Sequence, residues 1–159
     1  DNNFHKFLSL IEFLKKKKIK IIFDFNIRIK RWSKKKLFSY FSNTLPFVNI
    51  LFASGEDLNF LRGNASLKTF TDLIKKYNIE HGIYRNNARL NYAFYKDQKF
   101  FIKNKIKNNV VDTSGAGDGY NAAYISNFFK FNNPQKALHA ASEIGAKIIM
   151  KKGAIINVK

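Results

Sequence analysis

Residues 112–119 read Asp-Thr-Ser-Gly-Ala-Gly-Asp-Gly, and a helix-like run, YNAAYISNFFK, follows at 120–130. Glycine lets a backbone turn tightly and bring its N–H groups close to a ligand. A helix N-terminus adds unpaired N–H groups and the positive end of the dipole. Ser114 to Gly117 therefore read as an anion cradle. Asp118 is out of place in a plain phosphate site, because two anions repel. It fits as a base that takes the proton from a hydroxyl attacking a phosphoryl group held by the cradle. The Gly-Ala-Gly-Asp turn at 115–118 also suits a loop ending in a helix cap, where Asp is favoured. No Gly-Lys-Ser/Thr follows, so this is not a Walker A loop. The third glycine of a dinucleotide fingerprint is missing as well.

The surrounding pattern is an alternation of helices and strands. FHKFLSLIEFLKKKK (4–18) spaces Phe4, Phe7, Leu8, Ile11 and Leu14 as one helical face. KIKIIFDF (18–25) predicts a buried strand ending near Phe25. Ser33 caps a helix over 34–44 that stops before Pro46. FVNILFA (47–53) predicts a second strand. Ser54 then caps a short helix closed by Gly63, and 66–78 forms another amphipathic helix. Short strands are expected at 81–85, 90–96 and 99–103. A polar linker, helices at about 117–130 and 134–150 with Pro134 in the first turn, and a last strand in GAIINVK complete the chain. Such alternation argues for an α/β layered sheet in one compact unit, 1–159, with no internal domain boundary.

Composition removes several functions. The chain has 159 residues, 45% of them apolar, so a real core is available. There are no cysteines, which excludes disulfides and thiolate metal sites. His5, His81 and His139 are too scattered for a histidine metal cluster. No apolar run is long enough to span a bilayer and no signal peptide is visible, so a soluble cytoplasmic protein is expected. The net charge of +18 invites a polyanionic partner. Its lysines are spread along the chain, not gathered beside aromatics, so we read the charge as a solvated surface rather than a nucleic-acid interface.

With its flanks, VDTSGAGDGYNAAY (111–124) resembles the C-terminal signature of the PfkB, or ribokinase-like, sugar kinases. FDFNIRIKRW (23–32) is similar to the D-x-N-x-R…W segment of that family, especially in its 2-keto-3-deoxygluconate kinase branch. ILFASGEDLNFLRG (50–63) sits where the family has a strand, an N-x-x-E motif and a short helix ending in glycine. The resemblance implies a ribokinase-like open, mostly parallel sheet with helices on both faces. It implies ATP and Mg²⁺ as cofactors and a sugar or sugar acid as acceptor. Asp118 matches the catalytic base; Gly115, Ala116 and Gly117 match the anion hole. Thr113 and Ser114 lie in the nucleotide signature. Arg28 matches the arginine that faces substrate and transferring phosphate, and Asp24 and Asn26 alternate with it on the expected strand end.

Two departures stand out. The N-x-x-E motif appears as Ser54-Gly55-Glu56-Asp57, so Asp57 or Glu56 would hold hydrated Mg²⁺. In IYRNNARLNYAF (83–94), Asn87 and Leu90 stand where glycines are common, with Arg85 or Arg89 available to pair with phosphate. The glycine-rich sugar-binding segment of the family's N-terminal half has no counterpart. The chain opens on Asp1 rather than Met, and the resemblance covers only the family's C-terminal half. We expect an incomplete nucleotide-binding and catalytic portion, with an exposed sheet edge that favours self-association. The purified 159-residue chain is accordingly expected to release no ADP above background when given Mg²⁺-ATP and sugars; measurable turnover would contradict this.

Overall fold

The computed structural model describes residues 2–28, 32–86, 89–104, 109–153 and 157. Its elements are α1 (Asn2–Lys16), β1 (Ile22–Asp24), α2 (Lys34–Thr44), β2 (Ile50–Ser54), α3 (Gly55–Arg62), α4 (Leu67–Lys76), β3 (His81–Asn86), β4 (Leu90–Tyr95), β5 (Gln98–Lys103), α5 (Ala116–Phe131) and α6 (Pro134–Ile148). The strands form a five-stranded sheet in the order β1-β2-β3-β4-β5. The first three are parallel, with Asp24 opposite Phe52 and Ser54 opposite Arg85. Parallel neighbours need a crossover, which α2 supplies between β1 and β2, and α3 with α4 between β2 and β3. A two-residue turn at Lys96 and Asp97, both with positive φ, joins β4 to β5, a link open only to antiparallel neighbours. The sheet is therefore mixed, and parallel only over its first three strands. No helix among the described residues is long and apolar enough to cross a membrane.

The chain divides into two compact units. One comprises Asp1–Asn87 and Phe94–Lys96; the other comprises Ala88–Ala93 and Asp97–Lys159. The core of the first is β2 and what packs on it. Leu51, Phe52 and Ala53 are buried in sequence, as a strand covered on both faces requires. Helix α2 lays Phe41 on Phe23 and Phe25 of the β1 segment. Helix α4 stacks Phe70 on Tyr84 of β3, with ring centroids 5.2 Å apart. The Tyr84 hydroxyl donates to the Ala65 carbonyl, so this buried ring keeps a polar partner. In the second unit α5 and α6 pack on each other, with Tyr120 beside Gly145 and Ile148 beside Gly119; Tyr124, Ala137, Leu138 and Ala141 on the two helices are buried. Asn133 caps α6 by accepting from Lys136 N, and Pro134 occupies the first turn.

The caps expected from sequence are present: Ser33 and Ser54 each accept a hydrogen bond from a backbone N–H in the first helical turn, and Gly63 takes the left-handed C-cap; Ser66 caps α4 in the same way. Strand limits differ more. The first strand is three residues long, not eight, because β1 lies at the sheet edge. Before it, Ile21 N donates to the Asn49 side chain instead of to a strand ladder. The second strand starts at Ile50, since Leu45–Phe47, with Pro46, forms a 3₁₀ turn. The proposed last strand in GAIINVK falls mostly outside the described residues.

Two positions in the first unit give measurable expectations. A Cβ at Gly82 would lie 2.9 Å from Cε1 and Cζ of Phe70 and 3.0 Å from Cγ2 of Ile74. The Phe70 ring is trapped against Tyr84, so Gly82→Ala should lower stability by about 1–3 kcal/mol in urea unfolding, and adding Phe70→Leu should recover part of the loss. His81 is buried beside the Tyr95 ring, and burial, with the Lys20 charge added, pushes its pKa down to about 4 from 6.5. The unfolded chain therefore binds a proton between those values that the folded chain refuses, and stability falls as pH drops through that window. At about 1.4 kcal/mol per pH unit the loss approaches roughly 3 kcal/mol. His81→Gln should flatten that part of the curve of unfolding free energy against pH.

Candidate active site

Parallel strands β1, β2 and β3 all end at one edge, and each end carries a polar group. Asp24 closes β1. Phe25 N still donates to Phe52 O at 3.2 Å, but Asn26 then turns to a left-handed φ of 38°. This turn breaks the strand alternation expected for Asp24, Asn26 and Arg28. Asn tolerates that conformation because its side chain is short and polar. Arg28 follows as an exposed side chain. At the end of β3, Arg85 Nη2 lies 3.5 Å from Asp24 Oδ1, with the two side chains only 19% and 21% exposed. Arg85, expected to meet phosphate, is thus drawn to Asp24 across the end of β2. Arg89 is exposed; Asn87 lies outside the described residues.

Ser54 ends β2 and starts α3. Its Oγ accepts from Asp57 N at 3.1 Å, and Asp57 Oδ2 accepts from Ser54 N at 2.8 Å and from Ser54 Oγ at 2.7 Å. This is a capping box, with Asp57 in the place usual for Glu or Gln. The other oxygen, Oδ1, accepts from Ile27 N at 3.0 Å. Asp57 is therefore buried and engaged at both oxygens, whereas neighbouring Glu56 is exposed. Among the described residues no group of three or more His, Cys, Asp or Glu is placed to hold a metal ion. An exposed Glu56 at this strand end does fit the outer shell of a hydrated Mg²⁺, which keeps most of its waters.

In the second unit the glycine turn takes the form that its sequence suggests. Gly115 is the N-cap of α5, with φ 74° and ψ −4°, a conformation natural to glycine. Ala116 N donates to Thr113 O at 3.2 Å, and the first intrahelical bond runs from Gly119 N to Gly115 O. Gly117 and Asp118 thus have N–H groups with no intrahelical acceptor, as the first turn of any helix does. Asp118 is exposed in that turn, and no hydrogen bond or ion pair holds its carboxylate among the described residues. Thr113 and Ser114 are exposed too. Residues 109–113 form no strand, in keeping with the polar linker expected before this turn.

Asp112 received no role from the sequence, yet it fastens the turn. Its Oδ1 accepts from Ser114 N at 2.8 Å and its Oδ2 from Gly153 N at 2.9 Å. The Ser114 amide, then the Gly153 amide and the Ser114 side chain, hold this carboxyl below the usual range. The Asp-x-Ser spacing was a legible signal for the bond to Ser114. The bond to Gly153 spans 41 residues and had none.

The chain is similar to known proteins over most of its length. The chain is 28% identical over 148 residues to the 2-dehydro-3-deoxygluconokinase of Haemophilus influenzae, covering 91% of this chain and 47% of that protein. The crystal structure of the Thermotoga maritima 2-dehydro-3-deoxygluconokinase superposes with a TM-score of 0.78 at 22% identity, over 93% of this chain and 50% of that one. An Escherichia coli protein classed as a ribokinase II, solved in complex with ATP and Mg²⁺, gives a TM-score of 0.79 at 19% identity, over 91% and 46%. The chain spans about half the length of the curated relatives it matches. The pattern of the pfkB family carbohydrate kinases matches residues 5–159, and the chain belongs to that family.

Proposed function

We infer that the protein containing this chain transfers the γ-phosphoryl group of ATP to a hydroxyl of a sugar or sugar acid, with 2-keto-3-deoxygluconate as the acceptor. One observation carries the reading. Asp57 and Asp112 have their oxygens committed to backbone N–H groups, while Asp118 stands exposed behind the glycine turn with no such commitment among the described residues. A base must have an oxygen open to the proton that it takes.

Asp118 takes the proton of the acceptor hydroxyl as its oxygen bonds to the γ-phosphorus. The bond from that phosphorus to the bridging oxygen breaks, and ADP leaves with the electron pair. The N–H groups at Gly115 and Gly117 and the α5 dipole favour the charge on the moving phosphoryl group, whereas the Ala116 N–H is held by Thr113 O. Thr113 and Ser114 line the same turn on the nucleotide side. Arg28, exposed and cationic, suits the carboxylate of a sugar acid. Glu56 would hold hydrated Mg²⁺, which would supply neutralisation of the phosphate charge. The 28% identity to a 2-dehydro-3-deoxygluconokinase supports the acceptor. Ribokinase-, fructokinase- and nucleoside-kinase-like acceptors are the alternatives. A sugar- or nucleotide-binding relative without turnover is a second reading, favoured by Ser54 in place of the motif's asparagine and by the internal use of Asp57.

ADP release by the native protein, across a panel of sugars and sugar acids, tests the assignment. Turnover is expected on the keto-deoxy sugar acid, with Asp118→Asn lowering kcat by roughly 10²–10⁴-fold at nearly unchanged ATP affinity. Turnover on another sugar would move the acceptor and keep the base. ATP binding without product on any acceptor would instead establish the binding-only reading.

A further inference from the structure

We propose that Asp57 is a positioning residue that sets the place of Arg28, not a magnesium ligand. A capping box uses one carboxylate oxygen, and here Oδ2 performs that work with Ser54. The helix gains nothing from Oδ1, which reaches 30 residues back to Ile27 N at 3.0 Å. That amide lies between Asn26, whose left-handed φ of 38° takes the chain out of β1, and Arg28. A residue in that region of backbone space holds its conformation only where its surroundings fix it. The carboxylate supplies the fixing, through a charge-assisted bond from a side chain only 6% exposed. It thereby ties the exit of β1 to the first turn of α3, and Arg28 leaves the sheet from a held point. The same engagement removes Asp57 from metal work. Mg²⁺ needs a shell of waters in octahedral array, and a buried carboxylate facing three donors offers no room for one. Only the choice of acceptor ligand rests on the kinase reading.

Asparagine at 57 keeps the shape and has one acceptor oxygen, so either Ser54 N–H or Ile27 N–H must face an NH₂ group. The experiment uses the native protein, with amide hydrogen exchange read at Ile27 and calorimetric binding of 2-keto-3-deoxygluconate and of Mg²⁺-ATP. In Asp57→Asn we expect exchange at Ile27 to quicken and sugar-acid affinity to fall about tenfold, with Mg²⁺-ATP affinity held within about twofold. In an Arg28→Ala background the same substitution should cost no further sugar-acid affinity, because its effect acts through that arginine. Ser54→Ala, which keeps the carboxylate and removes one of its donors, should show the same pattern at smaller size and serves if Asp57→Asn does not fold. Unchanged exchange at Ile27, additive losses with Arg28→Ala, or a loss confined to Mg²⁺-ATP would each overturn the proposal. If the wild-type protein binds no sugar acid, the kinase reading fails separately, and exchange at Ile27 alone decides whether Asp57 holds the strand exit.

Discussion

The parallel pairing of β2 with β1 on one side and β3 on the other forces three chain segments to leave the sheet at one edge. Strand ends there present backbone donors and acceptors that no ladder satisfies, and those groups must find partners. In this protein the partners are a carbonyl of the neighbouring strand and side chains at the end of β2 and just beyond it. Phe25 borrows the Phe52 carbonyl, Ile27 takes a carboxylate oxygen, and Ser54 closes a reciprocal cap. Asp24 and Arg85 neutralise each other across the end of the middle strand. The polar edge is thus the consequence of a buried, two-sided central strand, and the candidate acceptor-side residues are drawn from it.

Carboxylates divide into two kinds. Asp57 and Asp112 each accept two backbone N–H bonds and serve as fasteners, one at a strand exit and one at the glycine turn. Asp118 and Glu56 are exposed in the first turns of α5 and α3. A carboxylate whose two oxygens already accept fixed donors is held in one orientation and offers a substrate hydroxyl less access than an exposed, uncommitted one. The chemical division follows from geometry rather than from residue type, since three of the four are aspartates.

Much of this was legible in sequence where the signal is local. Ser33, Ser54 and Gly63 mark helix ends through bonds within a single turn, and each does so in the structure. The Gly-Ala-Gly-Asp turn opening a helix was likewise readable, because glycine at a left-handed cap is a local demand. Strand lengths were less legible: KIKIIFDF has β propensity throughout, but an edge position shortens it, and edge position is a property of the assembled sheet. The two fasteners were missed for the same reason. Nothing near Asp57 in sequence announces Ile27, and nothing near Asp112 announces Gly153. The shared strand face for Asp24, Asn26 and Arg28 failed at one backbone angle, the positive φ of Asn26.

Helix α5 carries Asp118 in its first turn, and the next residue, Gly119, meets the end of α6. A Cβ built there would sit 2.1 Å from Cδ1 of Ile148, too close for both to keep their places. Because Cδ1 is the free end of a flexible side chain, a change of the Ile148 rotamer makes the room. The turn that carries Asp118 is thus coupled to the end of α6 through one methyl group, and a larger residue at 119 is accommodated there rather than in the turn itself.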